Sequence, residues 1–310
     1  MGQKAYLPTS SLLHFIGKIN RNMENRTFIP GSEWIYFKLY TGTNSADTIL
    51  KNEIHKYIWE MIKNSIIDKW FFIRYNDPDF HIRLRLHLKE KRNFTYVFIK
   101  FFETVSPIVN TGIAWKIQCD TYQREMERYG TNSILMVEDL FCIDSKFILS
   151  LLHQLNDENS EKHRWKIALV LIDSFLTAFS FDLSQKMELL NTMAESYKKE
   201  FGFMYHQDKK QLNGKYRTYR YDIDKTMLWE KETSEIIDII KARLQAIIPV
   251  AEKLAAKENS GDLQISLKAL LTSIIHMTMN RWFRSKNRLY ELVLYDFMSR
   301  YYSSEIAKKG

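Results

Sequence analysis

Apolar and polar residues alternate without a break through "FHIRLRLHL", Phe80–Leu88. A period of two predicts a strand, with successive side chains on opposite faces. Ile82, Leu84, Leu86 and Leu88 fall on one face; His81, Arg83, Arg85 and His87 fall on the other. The run Glu33–Tyr40 alternates in the same way, setting Ile35, Phe37 and Leu39 against Trp34, Tyr36, Lys38 and Tyr40. "WFFIRY" predicts another strand, and the "NDPDF" that follows supplies the Asn, Asp and Pro of a turn that closes an antiparallel hairpin. Between these strands, "TGTNSADTIL" offers Asn44 or Ser45 as a helix N-cap. Ile49, Ile54, Ile58, Met61, Ile62 and Ile66 then space as one helical face. "NFTYVFIKFFETVSPIV" predicts a helix ending near Pro107, and "GIAWKIQCDTY" a further strand.

From about Val137 the period changes to that of helices. "FILSLLHQL", "RWKIALVLIDSFLTAF", "LSQKMELLNTMAESYKKEF", "EIIDIIKARLQAIIPVAEKL" and "ISLKALLTSIIHMTMNRWF" follow one another. Strands first and helices later predict an α+β fold: an N-terminal antiparallel or mixed sheet with helices, then a mainly helical C-terminal half packed on it. The expected organisation is a single domain over 1–310, β-rich over about 26–125 and helical over about 137–305. "HQDKKQLNGKYRTYRYD", with Gly214 inside it, is the most polar interruption and is expected to be a loop.

Composition narrows the class. Hydrophobic residues make up 45% of the 310 and charged residues 26%, which is enough for a core able to exclude water from a site. Two cysteines, Cys119 and Cys142, fit neither a disulfide framework nor a zinc motif and suit a reducing cytoplasm. "MGQKAYLPTSSLLHF" lacks the pattern of a signal peptide, and no apolar run is long enough to span a bilayer. The net charge of +8 is spread along the chain with acidic residues interleaved, so a stable nucleic-acid partner is not expected. A P-loop, a dinucleotide glycine fingerprint, an H-E-x-x-H pair and a nucleophile elbow are all missing. The usual ATPase, dehydrogenase, zinc-protease and serine-hydrolase chemistries are thereby disfavoured, and no cofactor or metal is expected.

Three constellations remain. The first is the strand face of His81, Arg83, Arg85 and His87, where the planar forks of two arginines suit a carboxylate or a developing oxyanion, or else a solvated face of salt bridges. The second is "TYQREMERYG", in which Glu125 and Arg128 stand three apart and can pair if helical, as can Arg124 and Glu127. The third is "SIIHMTMNRWF", an apolar segment carrying His276 and Asn280 on one helical face. A histidine there is either a hydrogen-bonded core residue or an acid or base near neutrality.

Taken in order, "PGSEWIYFKLYTG", "FFIRYNDPDFHIRLRL", "YQREMERYG" and "SIIHMTMNRWF" resemble the C-terminal domain of class I lanthipeptide dehydratases, also described as the thiopeptide-type bacteriocin biosynthesis domain. The resemblance spans about residues 26–290. It implies a cytoplasmic lyase that eliminates glutamate from glutamylated Ser or Thr of a precursor peptide, leaving dehydroalanine or dehydrobutyrine. It assigns catalysis to Arg83, Arg85, Glu125, Arg128 and His276. His81 and Asn280 join Arg83 and Arg85 in substrate binding.

A complete dehydratase of this family also carries a large tRNA-dependent glutamylation region, for which 310 residues leave no room. The expectation is therefore a separate elimination component, or an excised domain, working with a partner. Its partners would be the glutamylated precursor peptide and a glutamylating protein, with a cyclase and a second copy of the chain as further candidates. Some relatives place an additional substrate-binding Arg soon after the strand ending "KLY"; "TGTNSAD" has none. The alternatives are a pyridine-forming [4+2] cycloaddition enzyme on the same fold, a non-catalytic peptide-binding subunit, and direct tRNA contact through Lys209–Arg220.

Overall fold

The computed structural model describes residues 25–155, 160–202, 206–229 and 233–309; the segment read for a signal peptide lies outside them. A short strand β1 (Thr27–Phe28) precedes β2 (Trp34–Thr41). Helix α1 (Ser45–Ile49) runs through a π-helical turn (Leu50–Ile54) into α2 (His55–Lys63). Strands β3 (Ile67–Asn76) and β4 (Phe80–Leu88), helix α3 (Phe94–Asn110), and strands β5 (Ala114–Asp120) and β6 (Tyr122–Gln123) follow. The rest is helical: α4 (Met126–Tyr129), α5 (Ile134–Gln154), α6 (Ser160–Ala178), α7 (Leu183–Glu200), α8 (His206–Met227), α9 (Ser234–Asn259), α10 (Leu267–Trp282) and α11 (Asn287–Lys309). The α+β division expected from the change of period is present.

Four strands form an antiparallel sheet in the order β3-β4-β2-β5, while β1 pairs with β6. Register settles the two faces. Ile82, Leu84 and Leu86 stand opposite Leu39, Phe37 and Ile35 on β2, and opposite Arg74, Phe72 and Trp70 on β3. This aliphatic face is the core of the sheet; Phe101 of α3 stacks on Phe37 with ring centroids 3.8 Å apart. The other face carries Arg83 and Arg85 opposite Lys38 and Tyr36.

Edge strand β3 is closed by side chains rather than by another strand. Ser145 of α5 accepts from the Phe72 amide, and Arg281 Nε donates to the Phe72 carbonyl. Asn280 of α10 accepts from the Arg74 amide at 2.9 Å and donates to its carbonyl at 2.7 Å. An open edge invites pairing with another chain; here the same contacts fix helix α10 along the sheet, so that its middle turns overhang the Arg face.

Buried carboxylates tie the layers together. Asp47 of α1 binds Arg74 of β3, Arg164 of α6 and Arg284 beyond α10. Asp144 of α5 binds Arg243 of α9 at 2.7 Å and accepts from Thr278 of α10. Each charge is compensated by bonds to several elements, the condition under which a buried ion pair holds a geometry.

One local expectation is corrected and two are refined. The polar stretch 206–222 belongs to helix α8 and is not a loop, because Leu212, Ile223 and Met227 are buried on one side while Lys210, Lys215, Arg217 and Arg220 are exposed. Nothing lies near Gly214, which is tolerated in mid-helix. Helix α3 continues past Pro107 to Asn110: the proline has no N–H to give the carbonyl four residues back, but its own carbonyl still accepts from the Thr111 amide. Asn44 does occupy the N-cap of α1, but its side chain makes no capping bond.

Candidate active site

The Arg face of β4 is the floor of the candidate site. Arg85 is only 8% exposed. Its guanidinium carbon lies 4.5 Å from the ring centre of Tyr36, 4.8 Å from that of Tyr122 and 5.3 Å from that of Phe71. Aromatic faces hold the cation without neutralising it. Among the described residues its Nε has no hydrogen-bond partner. Two positions along, Arg83 rests on the Tyr75 ring, 3.4 Å from its centre, and its Nε donates to His81 Nε2 at 3.0 Å.

His81 is fully buried, and its Nδ1 lies 2.8 Å from the Asp79 carbonyl. Both ring nitrogens are thus committed, one to the carbonyl and one to Arg83. Burial lowers its pKa, and the neighbouring Arg83 adds to the effect against the Asp79 carbonyl. His81 positions Arg83 and has no free nitrogen for a ligand. His87 turns away from the arginines to Asp68, at 2.6 Å.

The wall beside Arg85 is the segment 121–130, only part of which is helical. Arg124 does not pair with Glu127 as local spacing predicts. It is buried on Glu138, with both contacts at 2.7 Å, and Tyr122 donates to the same carboxylate at 2.8 Å. Glu127 pairs instead with Arg26. This anchor leaves Glu125 outward, 62% exposed and 3.5 Å from Arg128, as the spacing of three predicts. Arg128 Nε donates to Ser273 of α10 at 3.3 Å, one turn before His276. Gly130 ends α4 with φ +74°, and a Cβ there would meet the Ser133 hydroxyl at 2.8 Å.

Helix α10 is the opposite wall. Met277 shares a small cavity of about 30 Å³ with Arg85 and Glu125. His276, with its side chain 19% exposed, places Nδ1 2.9 Å from Glu291 of α11. Glu291 is completely buried and also accepts from Tyr197 at 2.6 Å, Tyr295 at 2.9 Å and Asn287 at 3.1 Å. An ionised carboxylate only accepts, so it holds the imidazole proton on Nδ1 and leaves the Nε2 lone pair for chemistry. Burial, reinforced by Glu291, pushes the Tyr197 hydroxyl far above the usual phenol range. Asn280, one turn on, spends its amide on the Arg74 backbone and borders a separate polar cavity with Arg74 and Lys286.

Arg85, Glu125 and Arg128 are therefore gathered between the sheet and α10. His276 lies on the same helix as Met277 and Ser273 but is not among the residues lining the small cavity, and neither is Arg83. Sequence reasoning missed Glu291, Tyr197 and Tyr36. The signal for Glu291 was an acid in the apolar run "YELVLYDF" with Asn287 and Tyr295 four residues to either side. Among the described residues no cluster of His, Cys, Asp and Glu could hold a metal, and no helix is long and apolar enough to cross a membrane.

Known proteins resemble this chain in sequence and in fold. Subtilin biosynthesis protein SpaB of Bacillus subtilis is 26% identical over 93% of this chain, and nisin biosynthesis protein NisB of Lactococcus lactis subsp. lactis is 25% identical over 95%. The chain spans about a quarter of the length of these relatives, 27% and 28%. Among solved structures, the tRNA-dependent lantibiotic dehydratase MibB of Microbispora sp. 107891 superposes with a TM-score of 0.70 at 16% identity, over 90% of this chain and 29% of its own. The pyridine synthase TbtD from thiomuracin biosynthesis gives 0.67 at 10% identity, over 88% of this chain and 100% of its own. At these identities the two structures establish the fold. The family model for the C-terminal part of lantibiotic biosynthesis dehydratases matches residues 34–302, and the chain belongs to that family.

Proposed function

We propose that this chain eliminates glutamate from glutamylated Ser or Thr residues of a precursor peptide. The observation that carries the reading is Arg85, a buried guanidinium with aromatic rings around it and no carboxylate paired to it among the described residues. A buried charge left unpaired is costly, and an anionic substrate would complete it.

The residues around it fit the steps of an elimination. The proton on Cα of the modified residue is removed; its electron pair forms the Cα–Cβ double bond. The Cβ–O bond breaks and glutamate leaves with that bonding pair as a carboxylate, a leaving group that needs little protonation. His276, oriented by Glu291, moves the proton. Arg83 and Arg85 face the anionic adduct and the charge that builds on the carbonyl during proton loss. Glu125 holds Arg128, and Arg128 links the wall to α10.

In this reading, the chain acts on a peptide that a tRNA-dependent activity has already glutamylated. A pyridine-forming cycloaddition joins two neutral dehydroalanines, which gives a buried unpaired arginine nothing to bind, so Arg85 favours elimination over that alternative. Arg85→Lys keeps the charge but loses the planar fork. It is expected to raise KM and lower kcat for glutamate release, each by about tenfold or more, in steady-state assays on a glutamylated peptide. Wild-type values for both constants in a folded Arg85→Lys protein would count against an anion-binding role.

A further inference from the structure

We propose that the polar cavity between β3 and the start of α11 is a second anion site, taking the carboxylate of an acidic side chain next to the modified residue of the peptide. The peptide as the source of that anion rests on the elimination reading. The walls of the cavity include Arg74, Arg284 and Lys286 and no carboxylate. Arg83 and Arg85 are not among them, so it is distinct from the floor on β4. Arg74 is 3% exposed; its Nε donates to the Arg281 carbonyl and its Nη2 to Asp47. Its Nη1 is buried and has no hydrogen-bond partner among the described residues. Asp47 is shared with Arg164 and Arg284, so one negative charge faces three guanidiniums. Lys286 is exposed, and its ammonium bonds to no side chain among the described residues. Ser285, Lys286 and Asn287 bring the start of α11, a helix of 23 residues, to the same cavity. The N-terminal end of a helix carries partial positive charge. A buried donor without an acceptor carries a desolvation penalty, and beside this excess of positive charge the missing acceptor is an anion.

Size and position point to a group carried by the peptide. The cavity of about 210 Å³ has room for an acidic side chain or a phosphate with a few waters, and falls below the roughly 300–1,000 Å³ of sites for drug-sized ligands. Two of its walls lead to the candidate active site. Asn280 lies one turn of α10 beyond His276, about 5.4 Å along the helix. Tyr75 carries Arg83 on its ring. An extended peptide advances about 3.3 Å per residue, so a side chain one or two positions from the modified residue reaches the cavity while that residue stands at His276. Phe80 and Phe283 give the methylene stem of such a side chain an apolar wall. Asp77 and Asp79, on the turn between β3 and β4, are not among the walls and leave the positive charge uncancelled there. The site thus favours Asp or Glu beside the modified residue and disfavours Lys or Arg.

Binding is the direct test. A Ser-to-diaminopropionate peptide carries a glutamyl group through a stable amide, and Asp or Asn is placed in turn at the positions flanking it. At one of these positions the wild-type chain is expected to bind the Asp peptide about tenfold more tightly than its Asn counterpart. Lys286→Gln, which removes an exposed charge, is expected to cut that preference about threefold and leave the Asn peptide unchanged. Inorganic phosphate should compete with the Asp peptide and not with the Asn peptide. Equal affinities for Asp and Asn at every position, with no phosphate bound by calorimetry, would overturn the site. An Asp preference that a folded Lys286→Gln protein keeps in full puts the carboxylate elsewhere and overturns the assignment to this cavity. Phosphate binding that Lys286→Gln weakens, without any Asp preference, keeps the anion site and rejects the peptide as its source. Glutamate release from the corresponding esters separates the site from the reaction. Asp preference without release keeps the site and rejects elimination; release at equal rates from peptides bound equally well rejects the site only.

Discussion

Replacing His276 with Ala is expected to slow single-turnover glutamate release by about 10²–10⁴-fold, the usual contribution of a general acid or base. Affinity for the glutamylated peptide should remain within a few-fold. The split between rate and affinity follows from position: the arginines that face an anion stand on β4, whereas His276 stands on α10, with Nδ1 fixed by Glu291 2.9 Å away. Removing the imidazole leaves the arginines in place. It also leaves Glu291 three of its four partners, Tyr197, Tyr295 and Asn287. The fold should therefore survive, and a near-native melting curve is the control. A folded His276→Ala protein that eliminates at the wild-type rate would make His276 a core residue and Glu125 the next candidate base, to be examined as Glu125→Gln.

The largest stability effect is expected at Asp47. Asp47→Ala withdraws the carboxylate shared by Arg74, Arg164 and Arg284. Arg74 is almost completely buried, and removing one partner of a buried ion pair costs about 3–5 kcal/mol. Urea denaturation at neutral pH should show a loss of that size. The same carboxylate sets an acid limit in the wild-type chain. Burial alone would raise its pKa, but the pull of Arg74 and Arg164, joined by Arg284, brings it down to about 2 from an ordinary 3.8. A depressed folded value means that the contribution is fully present above the unfolded pKa. It is lost as pH falls through 3.8 towards about 2. The corresponding stability is about 2 kcal/mol, which Asp47→Ala should no longer lose over that window.

The sheet and its two faces were legible because strict alternation leaves one way to bury Ile82, Leu84 and Leu86. The Arg face was legible for the same reason, as was the Glu125–Arg128 pair, which is local. What was illegible depended on distant partners. Helical spacing offered Glu127 to Arg124, but the fold supplies Glu138, in a buried position where the guanidinium gains a bidentate partner. Glu291 could not be linked to His276 from sequence, because the pair spans two helices and a turn. His81 has the same composition signal as a ligand-binding histidine, yet its ring is enclosed by Tyr40 and bonded to Asp79 and Arg83. Polar composition hid α8, whose few apolar residues are enough for one buried stripe.

The central claim is elimination itself, and one measurement bears on it most directly. The purified chain is incubated with a synthetic peptide carrying a glutamyl ester on Ser, without tRNA or any second protein, and the products are followed by mass spectrometry. The account predicts free glutamate together with a peptide lighter by one glutamic acid, bearing dehydroalanine that adds thiols. Recovery of the glutamylated peptide unchanged, or of the free Ser peptide formed by simple ester hydrolysis, would contradict it.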